Sequence, residues 1–151
     1  MKFGKKMKDI KILSHSAMET EAAGMLLAGY LEKNDFVAMY GDLGAGKTAF
    51  VRGMARVLAP GVDVCSPTYT IVNQYEGEKA TLCHFDMYRI DSEDDLESIG
   101  FYDYTDCIIV AEWCEKIEFA LPESYYRVEI KYVSADSRMI TVSVVEKEAK
   151  R

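Results

Sequence analysis

The stretch "FVAMYGDLGAGKTAF", residues 36–50, decides the fold of this chain. Its first five residues are apolar and too few for a helix, which is typical of a buried strand in a parallel sheet. The pattern G-x-x-x-x-G-K-[ST] follows from Gly41 to Thr48, and the apolar residues after it recur at helical spacing until Pro60 and Gly61. A strand, a phosphate-binding loop and a helix in this order favour nucleotide binding.

The loop residues have separate chemical tasks. Glycines let the backbone turn tightly, so that N–H groups and the positive end of the following helix point at a phosphate. Lys47 adds a positive charge beside the phosphates, and the Thr48 hydroxyl can bind Mg²⁺. A glycine-rich turn without a ligand is the alternative, but the match is complete. The candidate nucleotide-binding residues are Gly41, Asp42, Leu43, Gly44, Ala45, Gly46, Lys47 and Thr48.

Two acids directly follow apolar strands. Asp86 follows "TLCHF" and Glu112 follows "CIIVA", so both should emerge where open α/β sheets bind ligands. Carboxylates there suit Mg²⁺, although a single such acid is often an ordinary surface residue. Trp113 either covers this site or serves the core or a partner contact. The guanine-reading pattern N-K-x-D does not occur in the sequence, so ATP with Mg²⁺ is the expected cofactor.

Composition limits the class of protein. With 151 residues and 49% hydrophobic content, we expect one domain, residues 1–151, with one sizeable core. The net charge of −7 disfavours direct, tight binding to DNA or RNA. We expect neither a signal peptide nor a membrane span. The four cysteines lack C-x-x-C spacing, so we expect reduced thiols in a cytosolic protein, with Cys65, Cys83 and Cys107 buried.

The remaining patterns predict an α/β fold. "DIKIL" reads as a strand, and Ser16 opens a helix to about Lys33 whose apolar face holds Met18, Ala22, Met25 and Leu26. "YTIVNQY", "TLCHF" and "CIIVA" read as further strands, which predicts a mainly parallel sheet with helices on both faces. Alternation around Ile130 and Val142 predicts an antiparallel C-terminal hairpin at the edge. The whole is a P-loop NTPase-like, three-layer architecture.

Four stretches also resemble one family in order and spacing. They are "GDLGAGKT", "SPTYTIVNQY", "HFDMYRI" with "DLESIGFYDY" behind it, and "VAEW". Together they resemble the bacterial TsaE family, also called YjeE, from about Ser14 to Val145. The resemblance implies a cytoplasmic P-loop ATPase that is needed to make threonylcarbamoyladenosine in tRNA, beside the anticodon. It also implies two protein partners, TsaB and TsaD, with hydrolysis resetting their complex between turnovers, and only indirect contact with tRNA.

The same resemblance assigns roles to individual residues. Thr68, within "SPTYT", lies in a segment similar to a nucleotide-sensing switch, and Ala17 and Arg138 align with places near the nucleotide. Ala49 adjoins the loop where many relatives have a second threonine. The implied catalytic residues are Asp86, Glu112, Lys47 and Thr68, and the implied metal ligands are Thr48, Glu112 and Asp86.

Two other functions remain open at this level. One is a small-molecule P-loop kinase, but the seven acids and absent Lys or Arg between Asp91 and Asp106 argue against a phosphate-binding lid. Ser92 and Gly100 predict a short helix in that acidic stretch. The other is a nucleotide-dependent binding module with negligible hydrolysis, which the sequence does not separate from a partner-dependent ATPase.

Overall fold

A computed structural model of the protein describes residues 7–42 and 46–146. The chain is an α/β protein, as the sequence predicts. The strands are β1 (Ile10–Ser14), β2 (Phe36–Tyr40), β3 (Val72–Tyr75), β4 (Leu82–Asp86), β5 (Ile108–Glu112), β6 (Ser124–Ser134) and β7 (Ser137–Glu146). The helices are α1 (Ala17–Ala28), α2 (Lys47–Leu58) and α3 (Glu93–Ser98), with short 3-10 turns at Phe101–Asp103, Cys114–Lys116 and Glu118–Ala120.

Within the described residues, the strands form one seven-stranded sheet in the order β1-β7-β6-β2-β5-β4-β3. Strand β2 pairs in parallel with β5 and β6, and β4 pairs in parallel with β5. The other three pairings are antiparallel, so the sheet is mixed, with its parallel part at the centre. The predicted C-terminal hairpin is confirmed as β6 and β7. It is not itself the edge, because β1 pairs with β7 and extends the apolar face through Ile10 and Ile12.

Both faces of the sheet are covered, as predicted. Helices α1 and α2 lie on one face, where Val37 and Met39 contact them, while Phe36, Ala38 and Tyr40 face α3 and the 3-10 turns. Strand β2 is therefore apolar along its whole length because its alternate side chains enter two different hydrophobic clusters. This central strand carries the phosphate-binding loop at its carboxyl end.

Helix α1 differs from the sequence prediction in length and orientation. It begins after Ser16, whose Oγ accepts a hydrogen bond from the Glu19 amide at 3.1 Å, but it ends at Ala28 and not near Lys33. The chain turns at Gly29 so that Leu31 can enter the core, where it is fully buried.

The predicted apolar face of α1 lies outside. Met18, Met25 and Leu26 are 79%, 43% and 48% exposed. The opposite face, which includes Gly24, is small enough for α1 to approach α2 closely, and a Cβ on Gly24 would overlap the Phe50 carbonyl oxygen. Close helix packing therefore decides which side of α1 is buried.

Three further predictions have clear outcomes. Strand β3 begins at Val72 and not at Tyr69, because a turn with Ile71 at φ +72° precedes it. Cys83 and Cys107 are buried as predicted, but Cys65 is exposed, since it lies in the loop before that turn. Ser92 caps α3 as predicted, through a 3.2 Å bond from the Asp95 amide. None of the helices in the described part of the chain is long and apolar enough to cross a membrane.

Candidate nucleotide-binding site

The two ends of the glycine-rich loop have backbone conformations that other residues avoid. Gly41 has φ +143°, and a Cβ there would overlap the Ile130 carbonyl oxygen of β6. Gly46 has φ +105° and directly precedes α2. Leu43, Gly44 and Ala45 lie outside the described residues. The described ends provide the sharp strand-to-helix connection that a phosphate-binding loop requires.

Lys47 begins α2 and is nearly buried, with 5% of its surface exposed. Its Nζ donates a hydrogen bond to the Gly41 carbonyl oxygen and lies 3.8 Å from the centre of the Trp113 ring. Burial lowers the pKa of the Lys47 ammonium, and the negative charges of Glu112, Glu115 and Asp86 partly oppose that shift. The Lys47 amine is therefore directed towards Gly41, the residue that follows β2.

The two strand-end acids are cross-strand neighbours. Parallel strands β4 and β5 pair in a register that places Asp86 beside Glu112. Both residues are buried, with 8% and 4% of their surfaces exposed. One Asp86 oxygen, Oδ1, accepts a 2.9 Å bond from the Tyr88 amide, and Glu112 Oε2 lies 2.5 Å from His84 Nε2. Hydrogen bonds thus hold each carboxylate in one orientation.

These groups line one cavity of about 220 Å³. The lining residues come from the loop, the segment before β3 and the ends of β4 and β5: Gly46, Lys47, Thr48, Ser66, Thr68, Asp86, Glu112 and Trp113. Thr68 is held there by a 2.8 Å bond between its Oγ1 and the Ser66 hydroxyl. The structure therefore gathers every implied catalytic residue around a single space.

The oxygen ligands in this cavity fit a magnesium ion bound together with a phosphate. Thr48, Asp86 and Glu112 offer a hydroxyl and two carboxylates, the hard oxygen donors that Mg²⁺ prefers. In the described ranges, no group of three or more His, Cys, Asp or Glu side chains could hold a metal by itself. Mg²⁺ commonly completes such a partial site with water and phosphate oxygens.

A second cavity of about 260 Å³ adjoins the first at Gly46. It brings together Ala17 from α1 and Arg138 from β7, which are distant in the sequence, with Ala49 on α2. The Arg138 guanidinium donates to the Ser134 and Ala135 carbonyl oxygens and lies 3.9 Å from the Tyr132 ring centre. A positively charged, stacked side chain therefore lies at the side of the phosphate-binding loop.

Several residues beside the acids were not predicted from the sequence. Ser66 lines the first cavity, and His84 and Tyr75 are buried behind Glu112. One signal was present, because His84 precedes Asp86 by two positions in an apolar strand and must share its face. The contact with Tyr75 depends on the pairing of β3 with β4, which the sequence does not reveal.

Comparisons with known proteins agree with this architecture. The family model described as "Threonylcarbamoyl adenosine biosynthesis protein TsaE" matches residues 14–140. The chain is 34% identical to the tRNA threonylcarbamoyladenosine biosynthesis protein TsaE of Bacillus subtilis, over 92% of this chain and 88% of the relative. It is 42% identical to the protein of the same name from Haemophilus influenzae, over 78% of this chain and 75% of that one.

A solved structure gives the same result for the fold. The crystal structure of Bacillus subtilis YdiB superposes with a TM-score of 0.74 at 31% identity, covering 95% of this chain and 90% of YdiB. The matched region spans the phosphate-binding loop, both strand-end acids and Arg138. The chain therefore belongs to the TsaE family of threonylcarbamoyladenosine biosynthesis proteins.

Proposed function

We propose that this protein is the ATP-binding and ATP-hydrolysing subunit required for threonylcarbamoyladenosine modification of tRNA, acting with a TsaB–TsaD complex in the cytoplasm. One observation carries the proposal: Lys47, Thr48, Asp86 and Glu112 line a single cavity at the carboxyl end of the sheet. A cation, a hydroxyl and two carboxylates are the groups that phosphoryl transfer to water needs.

The loop and α2 account for nucleotide binding. The phosphate chain would lie against the start of α2, where unpaired N–H groups and the helix dipole favour anions. Lys47 Nζ would exchange its contact with the Gly41 carbonyl oxygen for the β- and γ-phosphate oxygens. The second cavity, with Ala17 and Arg138 on its walls, is the adjacent space for the nucleoside part.

The two acids account for hydrolysis. Thr48, Glu112 and Asp86 would hold Mg²⁺, which neutralises phosphate charge when bound. Glu112 is the better placed to remain an oriented ligand, because His84 holds its Oε2. Asp86 would orient the attacking water by accepting a hydrogen bond from it. Thr68 lies in the same cavity, so its hydroxyl could respond to the presence of the γ-phosphate.

Regulation of a partner complex explains why an ATPase would belong to this pathway. The net charge of −7 supports contact with tRNA through partners and not by a basic surface of this chain. Hydrolysis in the cavity would alter the segment that carries Thr68 and so release or reset the TsaB–TsaD complex. A kinase is not favoured, since the acidic stretch after β4 forms α3 and a 3-10 turn that lack lysine and arginine.

Phosphate release with purified TsaB and TsaD tests this function. We expect ATP turnover by the chain to rise when both partners are present and to fall to background in Lys47→Ala. Lys131→Ala serves as the matched control, because Lys131 is an exposed β6 residue paired only loosely with Glu129 at 3.8 Å. Equal turnover with and without partners, together with normal tRNA modification by Lys47→Ala, would overturn the proposal.

A further inference from the structure

A buried chain of hydrogen bonds runs from Glu112 to the segment that carries Thr68. His84 is fully buried in β4, with Nε2 lying 2.5 Å from Glu112 Oε2 and Nδ1 lying 3.3 Å from the Tyr75 hydroxyl. Tyr75 is 5% exposed and lies diagonally across the β3–β4 pair from His84. Both ring nitrogens of His84 are therefore matched to specific polar partners.

This series of hydrogen bonds ends at the backbone of Cys65. The Tyr75 hydroxyl donates to the Cys65 carbonyl oxygen at 3.0 Å and accepts from the Cys65 amide at 3.3 Å. Asn73 Nδ2 donates to the same carbonyl oxygen at 3.1 Å. From Cys65 the polypeptide continues to Ser66 and Thr68, which both line the first cavity. Asn73 and Tyr75 of β3 thus hold the backbone at the start of the segment 65–68.

Core packing alone does not explain a histidine at this position. In the sheet His84 pairs with Val110 of β5 and with Asn73 of β3, and it follows the apolar Leu82 on the same face. A buried imidazole is tolerated only when its nitrogens are hydrogen-bonded, whereas an apolar side chain would avoid that cost. The position of His84 is explained by the two groups that it joins.

The contact has a direct consequence for Glu112. A hydrogen bond to Oε2 restricts the rotation of the Glu112 carboxylate, and Glu112 lines the cavity shared with Thr48. Partners of this kind orient ligating carboxylates, and their loss typically weakens metal binding about 10–100-fold. The Tyr75 hydroxyl donates to the Cys65 carbonyl oxygen and also lies within hydrogen-bond distance of His84 Nδ1, at 3.3 Å. That single group joins the carboxylate to the Thr68 segment.

We propose that His84 is a positioning residue that holds Glu112 for Mg²⁺, and that Tyr75 ties this pair to the segment 65–68. The proposal rests on the nucleotide site proposed above. Both residues would affect metal-dependent nucleotide binding indirectly, without contacting the nucleotide.

Two substitutions at His84 separate positioning from packing. His84→Gln places an amide near the position of Nε2 and so keeps a donor for Glu112. In His84→Asn the shorter amide extends only to the position of Nδ1. It can therefore keep the contact with Tyr75 but loses the contact with Glu112. The readout is ADP binding by calorimetry, first in EDTA and then during titration with Mg²⁺, which involves no hydrolysis.

For His84→Asn we expect unchanged ADP affinity in EDTA and an about 10–100-fold higher Mg²⁺ concentration for half-maximal tightening of ADP binding. His84→Gln should stay much closer to the unsubstituted protein. In a Glu112→Gln background, His84→Asn should add no further loss, because the group that it positions is gone. Equal Mg²⁺ dependence in His84→Asn and the unsubstituted protein would overturn the role of His84.

Thermal unfolding and Tyr75→Phe complete the test. If Asn and Gln variants lose Mg²⁺ response and melting temperature to the same extent, His84 is only a core residue and the proposal is wrong. Tyr75→Phe retains the ring but should speed hydrogen exchange at the Cys65 amide and weaken the Mg²⁺ response. Unchanged exchange at 65–68 would remove the link to that segment. Failure of the unsubstituted protein to bind ADP would instead contradict the proposed function itself.

Discussion

Lys47 Nζ lies 3.8 Å from the centre of the Trp113 ring, so the cation of the phosphate-binding loop stacks on the residue that follows Glu112. Trp113 reaches this position because it has a left-handed conformation, with φ +60°, immediately after β5 ends. Tyr88 packs edge-on against the indole, with ring centres 5.0 Å apart. Lys47, Trp113 and Tyr88 therefore form one connected group next to Glu112.

Adenine nucleotides should stabilise the protein more than guanine nucleotides. The sequence lacks a guanine-reading N-K-x-D segment, and ligands that bind only the folded state raise its melting temperature. We expect a larger increase with ADP or ATP and Mg²⁺ than with GDP or GTP, measured by thermal denaturation. Lys47→Ala is the control for specific binding and should reduce the shift. Equal shifts for both purines would contradict adenine selectivity.

Lys47→Ala and Thr48→Ala should each abolish ATP hydrolysis. The first removes the cation that would face the phosphates, and the second removes a hydroxyl in the cavity that would bind Mg²⁺. Loss of one preorganised electrostatic group costs about two orders of magnitude in turnover, or more. Phosphate release in the presence of TsaB and TsaD measures the effect. Full turnover in either variant would place the active site elsewhere.

Gly53→Ala should destabilise the fold, although alanine usually favours a helix. A Cβ on Gly53 of α2 would overlap the Glu21 backbone of α1, which cannot move independently of its helix. We expect the free energy of unfolding to fall by about 1–3 kcal/mol, or more. Chemical denaturation measures this change.

Gly29→Ala is the matched control for the glycine at the helix crossing. Gly29 has φ −63°, and its added Cβ would meet only the Leu26 carbonyl oxygen at an ordinary 3.5 Å. The substitution should be neutral or stabilise by up to about 1 kcal/mol. Similar losses in both variants would show that close packing of α1 on α2 is not the cause.

Arg138→Ala should weaken nucleotide binding without removing hydrolysis at saturation. Arg138 lines the cavity beside Gly46 and Ala49 but does not line the one that contains Asp86 and Glu112. Loss of one charged hydrogen-bonding group corresponds to an affinity decrease of about tenfold. Calorimetry with ADP checks this, with Lys131→Ala on the neighbouring strand as control. Unchanged affinity would mean that the nucleoside lies elsewhere.

The sequence predicted the local parts of the site because their signals are local. Strand β2, the loop and α2 follow from a continuous motif, and the strand-end positions of Asp86 and Glu112 follow from two short apolar runs. The buried side of α1 was not predictable, since the helix has apolar residues on both sides and Gly24 decides by fitting against α2. Periodicity identifies an apolar face but not its partner.

Long-range pairings explain the other omissions. His84 meets Tyr75 only because β3 pairs antiparallel with β4, and Arg138 meets Ala17 only because β7 lies beside β1. No local sequence pattern at these residues predicts either strand pairing. The family resemblance implied that Arg138 lies near the nucleotide, whereas the contact of His84 with Tyr75 is visible only in the structure.

Asp86→Asn and Glu112→Gln should impair ATP hydrolysis but not ATP binding. Affinity should come mainly from the loop, the start of α2 and Lys47, because these groups would face the phosphates directly. Removing a carboxylate beside the phosphate charges relieves repulsion, so we expect near-normal or tighter nucleotide binding by calorimetry.

Turnover should respond in the opposite way in both carboxylate variants. Asp86 would no longer orient water as an anion, and the amide of Glu112→Gln would no longer offer Mg²⁺ a charged ligand. We therefore expect partner-stimulated phosphate release to fall by about two orders of magnitude or more. Glu129→Gln is the matched control, because Glu129 is a half-exposed acid on β6 that lines neither cavity. If Glu112→Gln hydrolysed ATP normally, Glu112 would be an ordinary buried acid that closes β5, and the metal would have to be held by other residues.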